Sequence, residues 1–141
     1  MRVIVLVKAS KASEAGIMPS AELVAQMSKF NEQLLNAGIM LAGEGLHPSS
    51  KGVRIRCTGN DRTVIRGPFT ETSELVAGYW IWKVKSLEEA IEWLKRAPFH
   101  EGEIEIRPIF DLEDFAAQSN LPPELVAQEK THRAQAEKNA Q

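Results

Sequence analysis

Residues 3–7 read Val-Ile-Val-Leu-Val, and residues 76–84 read Val-Ala-Gly-Tyr-Trp-Ile-Trp-Lys-Val. Both are strand-length runs rich in β-branched and aromatic residues, and both put apolar side chains on alternate sides. A strand of that kind must be covered on both faces, which restricts the chain to a sheet with packing on each side. In the second run Gly78, Trp80 and Trp82 share one face, while Tyr79 and Ile81 point the other way. The longest of these apolar stretches is far too short to span a bilayer.

Two helical patterns separate the strands. From Ala21 to Ala37, Leu23, Met27, Phe30 and Leu34 recur at spacings of four, three and four, with Val24 and Leu35 widening the stripe. Ser20 suits the N-cap, Glu22 complements the first turn, and Gly38 suits the position just past the end. The second pattern opens on Ser86-Leu-Glu-Glu89, the spacing of a capping box, continues through Leu87, Ala90, Ile91 and Leu94, and is stopped by Pro98. Residues 9–19 have no period and are expected to be a loop.

Ile39–Ala42 forms a short strand that ends in Gly43-Glu-Gly-Leu-His-Pro48, and Val53–Thr58 and Thr63–Arg66 form a hairpin around Gly59–Asp61. In the first hairpin strand Val53, Ile55 and Cys57 alternate with Arg54 and Arg56, so Cys57 is expected on a buried apolar face. Ile104, Ile106 and Ile109 supply the last strand, with Pro108 marking an edge or an end. The order β-α-β, hairpin, β-α-β predicts an α+β fold of the ferredoxin-like split βαβ kind with an inserted β-hairpin. Helices on one side leave the other sheet face apolar and open, so a second copy of the chain is the economical cover and a homodimer is expected. Residues 1–115 are read as one domain. Residues 116–141 are a polar, partly helical C-terminal extension with a frayed end.

Arg66-Gly-Pro-Phe-Thr-Glu-Thr72 resembles the Asp-Gly-Pro-Phe-x-Glu-Thr signature of the DGPF proteins in the YCII-related superfamily. Met40–Leu46, Gly78-Tyr-Trp80, Ser86–Trp93 and Glu105-Ile-Arg-Pro108 are also similar to that family, in order and at the right intervals. The resemblance runs from Met1 to about Phe115, and it implies a ferredoxin-like fold assembled as a dimeric α/β barrel. It also brings an association with sigma factors and transcription for some members. Two departures bear on function. Arg66 stands where the signature has Asp, which favours an anion site over a metal site. The His–Asp pair suggested for the YCII branch has no counterpart in Met18–Glu22 or Arg96–Phe99.

The formal net charge of −2 argues against direct nucleic-acid binding, and the single cysteine excludes an internal disulfide. Met1 leads straight into strand-like residues without a signal pattern, so a cytoplasmic protein is expected. No cluster of metal ligands and no phosphate-cradling loop appears, so neither metal nor cofactor is expected. Of three histidines, His132 lies in the polar tail and His100 in a turn. His47 follows the Gly43-Glu-Gly45 strand end, so Glu44 and His47 are the candidates for proton transfer. Arg66 and Arg54 are candidates for an anionic group, with Glu71 and Tyr79 orienting it. Ion pairs of the strand arginines with Glu71, Glu103 and Glu105 are the simpler expectation. Phe69 is expected to plug the core or a dimer interface. The function expected is binding of a small, anionic metabolite by a dimer, with cofactor-free catalysis left open. The alternative is a regulatory module whose tail, Pro122–Gln141, binds a partner.

Overall fold

Strand β5 (Val76–Lys83) organises the main sheet, because it pairs on both sides. It runs antiparallel to β1 (Arg2–Lys8) and to β2 (Met40–Gly45), and β6 (Ile104–Pro108) adds antiparallel to the far side of β1. The order β2-β5-β1-β6 fits the ferredoxin-like arrangement read from the sequence. In this computed structural model the backbone is described over residues 1–141, and the side chains at every position but 118 and 119. The chain forms two compact units, Met1–Pro108 and Ile109–Gln141.

In the first unit, the alternation along β5 decides the core. Gly78, Trp80 and Trp82 are buried on one face, with Val3 and Val5 of β1 beside them. Helix α2 (Ala21–Asn36) supplies Phe30 and Leu34, and α3 (Leu87–Leu94) supplies Ala90. Phe30 meets Trp80 edge-on at 5.8 Å between centroids, and Phe99 meets it at 6.2 Å, the offset geometry aromatic quadrupoles favour. Trp80 donates its Nε1–H to Asn31 Oδ1 at 2.9 Å. Trp82 Nε1 is buried with no acceptor among the described residues. Gly43 of β2 is required here, since a Cβ would stand 2.7 Å from Trp80 Cδ1.

The helix ends follow the sequence closely. Ser20 Oγ accepts from Leu23 N, and Gly38 takes φ +73° just past the C-cap of α2. Ser86 Oγ accepts from Glu89 N at 3.2 Å, but the Glu89 carboxylate reaches Lys85 N rather than closing a reciprocal box on Ser86. Val24 and Leu35 do not widen the buried stripe of α2. They are exposed, because the sheet below is only as wide as the Met27–Phe30–Leu34 side of the helix.

Two expectations are corrected. Residues 9–19 are not all loop: Lys11–Glu14 form a one-turn helix, α1, held by Ser10 and Ser13, each accepting from the other's backbone N–H. The hairpin strands β3 (Val53–Thr58) and β4 (Asp61–Arg66) make a separate two-stranded sheet, with Gly59 at φ +59° in the two-residue turn. Its Val53–Ile55–Cys57 face is not covered, so Cys57 is exposed rather than buried.

In the second unit, α4 (Leu112–Ser119) is capped reciprocally by Asp111 and Asp114, and Phe110 packs on Phe115 at 4.9 Å. Helix α5 (Pro123–Asn139) is predominantly polar and continues to Asn139. No described helix is long and apolar enough to cross a membrane.

Leu34 of α2 is fully buried in the core cluster that holds Trp80 and Trp82. Leu34→Ala is expected to destabilise the fold by about 3 kcal/mol through lost transfer energy and the cavity left behind. A urea unfolding midpoint lowered at unchanged slope checks this.

Candidate functional site

The sheet face opposite the helices carries two of the candidate residues, Glu44 and Tyr79. Across it, register places Glu44, Tyr79, Leu6 and Glu105 in one row and Ala42, Ile81, Ile4 and Arg107 in the next. Ile4, Leu6, Tyr79 and Ile81 in the middle are half-buried, as is Ala42 at one end, and the other three ends, Glu44, Glu105 and Arg107, are charged. Glu44 is exposed on the outer strand β2. Lys8 and Arg107 both pair with Glu105, at 3.4 and 3.7 Å. Tyr79 stands between Glu44 and Leu6, and its hydroxyl makes no hydrogen bond among the described residues.

At the end of this sheet where β2 leaves and β5 enters, three loops are tied together. Ser49 opens a single 3-10 turn, Ser49–Lys51, between β2 and the hairpin. Its N–H donates to Glu14 Oε2 at 2.9 Å, and its hydroxyl donates to Glu14 Oε1. The same hydroxyl accepts from Phe69 N–H at 3.0 Å, and Gly67 N–H donates to Gly52 O at 3.0 Å. Gly67 is obligatory, since a Cβ there would lie 1.8 Å from Ser49 O. The Gly67-Pro68 peptide bond is cis. The two hydrogen bonds from Ser49, side chain first and backbone second, hold the Glu14 carboxyl below its ordinary value of 4.5.

Phe69 does not plug the core. It is half-buried with the Arg54 guanidinium 3.8 Å above its ring centroid, a cation–π contact that fixes both side chains. Arg54 is thereby committed to the turn. Glu71 is exposed and accepts from Thr70 Oγ1 at 3.2 Å. Arg66 and Arg56 are exposed and take part in no ion pair among the described residues, so the expected pairing with carboxylates holds for Arg107 alone. His47 is exposed just beyond β2. No hydrogen bond or ion pair joins it to Glu44 among the described residues, and the carboxylate–imidazole unit is not assembled within one copy. His132 lies 3.4 Å from Glu129 on the exposed surface of α5. Among the described residues no three His, Cys, Asp or Glu side chains converge to hold a metal ion.

Over most of its length the chain matches a known family. A model described as the YCII-related domain covers residues 1–113. The chain belongs to the YCII-related family. It is similar to an uncharacterized protein of Rhizobium meliloti (strain 1021), at 28% identity over 86 residues, 59% of this chain and 69% of that protein. It is also similar to a solved structure of 5-chloro-2-hydroxyhydroquinone dehydrochlorinase from Burkholderia phenoliruptrix AC1100 in complex with 2,5-dihydroxybenzoquinone. There the identity is 14%, the TM-score is 0.45, and 78% of this chain and 94% of that one are covered.

Within this YCII-related domain, Glu14 and Ser49 are the residues that sequence reasoning missed. They are 35 positions apart and carry no motif. A usable signal was the Ser10/Ser13 pair, which marks a capped turn and so fixes where Glu14 stands.

The bracket makes two expectations. Gly67→Ala displaces Ser49 and lowers stability by about 1–3 kcal/mol or more, as overpacking against backbone does. Glu14→Gln is less stable than wild type at neutral pH. Because the folded carboxyl titrates below the unfolded one, its contribution is present above about pH 4.5 and is lost as pH falls through the lowered value. Chemical denaturation at pH 7 and pH 3 therefore shows a gap between Glu14→Gln and wild type that closes in acid.

Proposed function

We propose that this is a DGPF-type member of the YCII-related family that works as a homodimer. Each copy covers the other's open sheet face in a dimeric α/β barrel, which holds a small anionic metabolite. The ligand lies between the sheet, the 9–19 segment and the Gly67–Thr72 turn. The observation that carries this reading is the composition of the open face. Its centre, Ile4, Leu6 and Ile81 around Tyr79, is apolar enough to need cover, yet it is rimmed by groups that can orient a polar ligand. The large aromatics Trp80 and Trp82 turn to the helix side, so they do not fill that space.

The roles follow from position. Arg66, exposed and in no ion pair among the described residues, anchors the anionic group. Arg54, held against Phe69, keeps the turn in place and adds positive charge beside it. Tyr79 donates its hydroxyl from the floor, and Glu71 orients the ligand from the rim. Glu44 and His47, on the β2 side, are the pair available for proton transfer if the bound molecule is turned over.

The test is thermal denaturation with inorganic phosphate and a panel of small mono- and dicarboxylates. At 100 times Kd, a bound anion raises stability by about 2.7 kcal/mol. That rise is expected in wild type and is cut by at least half in Arg66→Ala and His47→Ala. Equal shifts in all three proteins would place the ligand elsewhere. The absence of any shift would remove the metabolite-binding reading. A monomer at micromolar concentration would remove the barrel.

A further inference from the structure

The β3–β4 hairpin is an arm without a body. Each strand is six residues long, about 20 Å, no further strand pairs with either edge, and the Val53–Ile55–Cys57 face is exposed, whereas Ile65 and Phe69 partly cover the other face around Arg54. On one face register aligns Val53 with Arg66, Ile55 with Val64, and Cys57 with Arg62. Val53, Ile55 and Val64 are 52, 52 and 55% exposed. A lone two-stranded ribbon with that much apolar surface in water is marginal by itself and invites a partner. The arm is nevertheless rooted, because the Glu14–Ser49–Phe69 bracket and the Gly67–Gly52 hydrogen bond hold its base.

Charge selects the partner. Residues 51–66 contain Lys51, Arg54, Arg56, Arg62 and Arg66 against Asp61 alone, a net +4. The chain as a whole is −2, which leaves −6 on the remainder. Half of that lies in the second unit, so arm against arm would bring two +4 ribbons together, whereas arm against the rest of another copy's first unit brings +4 to −3. That body offers exposed apolar residues in and just past its outer strand β2. Leu41 and Leu46 are 51 and 50% exposed, and between them stands Glu44, a carboxylate with no ion pair among the described residues. On the arm's apolar face Arg62 already donates to its own turn carbonyls, Gly59 O and Asp61 O. Arg66 is the arginine left to meet Glu44.

We infer that in the dimer the arm of each copy lies along the β2 rim of the other. Val53, Ile55 and Val64 cover the second copy's Leu41 and Leu46, and Arg66 reaches the second copy's Glu44. This rests on the homodimer proposed above and sharpens it. The anion anchor Arg66 and the proton-transfer candidates Glu44 and His47, which one copy leaves apart, come together only across the interface. Each site is then built from two chains.

Cys57, the single cysteine, lies on the docking face and reports on it. Its alkylation by iodoacetamide is expected to slow several-fold as protein concentration rises through the dimer range, measured by sedimentation on the same samples. Ile55→Asp, folded by circular dichroism, should keep Cys57 fast at every concentration and weaken the dimer at least tenfold. Glu44→Arg should weaken it similarly, and the double variant Glu44→Arg with Arg66→Glu should recover most of the loss. A dimer that forms while Cys57 stays fully reactive, and that ignores these substitutions, would overturn the arm's role and leave the sheet-face dimer standing. A protein that stays monomeric at 50 µM, about the concentration where a micromolar Kd saturates, would overturn both. Protection of Cys57 by a single-stranded oligonucleotide, with no protection by concentration, would also overturn this inference and give the arm to a polyanion.

Discussion

Strand β5 can face only two ways, and nearly everything in the first unit follows from how it divides its residues. Trp80 and Trp82 go to the helix side, where Phe30, Phe99 and Leu34 enclose them and Asn31 takes the Trp80 N–H. Tyr79 and Ile81 are thereby assigned to the other side, next to Leu6, Ile4, Glu44 and Ala42. A period of two leaves no third option, so packing the tryptophans also creates the open face on which the candidate site is built. The bulge in β2 between Met40 and Ala42 serves the same division, since it brings Gly43 under Trp80 and leaves Glu44 outward.

What was legible in the sequence was whatever a local rule governs. Alternation gave β1 and β5, serine caps gave the starts of α2 and α3, and Gly38 gave the end of α2. The ferredoxin-like order came from those elements taken in sequence. Local rules misled where a pattern implied a burial that the first unit does not provide. Val53, Ile55 and Cys57 alternate as a half-buried strand should, but nothing in the first unit covers them. The four-residue α1 was missed because it rests on two reciprocal serine caps and buries no residue, so it leaves no hydrophobic period to read.

The candidate site was legible by residue type and not by arrangement. Arg54 and Phe69 were each singled out, for an anion and for the core, and instead they stack on each other. The residues that place the Gly-Pro-Phe turn, Glu14 and Ser49, belong to segments with no signature of their own. Their contact depends on the β2–β5 pairing having already brought distant loops to one end of the sheet. One hydroxyl there does two jobs, donating to a carboxylate and accepting from the turn, so neither partner can be exchanged without affecting the other.

The rooted arm has a further consequence, for how its length can change. Its base is fixed by the bracket, so residues are counted outward from a set point. Adding one residue to either strand would send every side chain beyond it to the opposite face; in β3 this would bring an arginine where Ile55 stood. Two added residues would leave the faces intact and lengthen the ribbon by about 7 Å. Chains built on this plan can therefore vary their reach only in even steps, unless a bulge absorbs the odd residue.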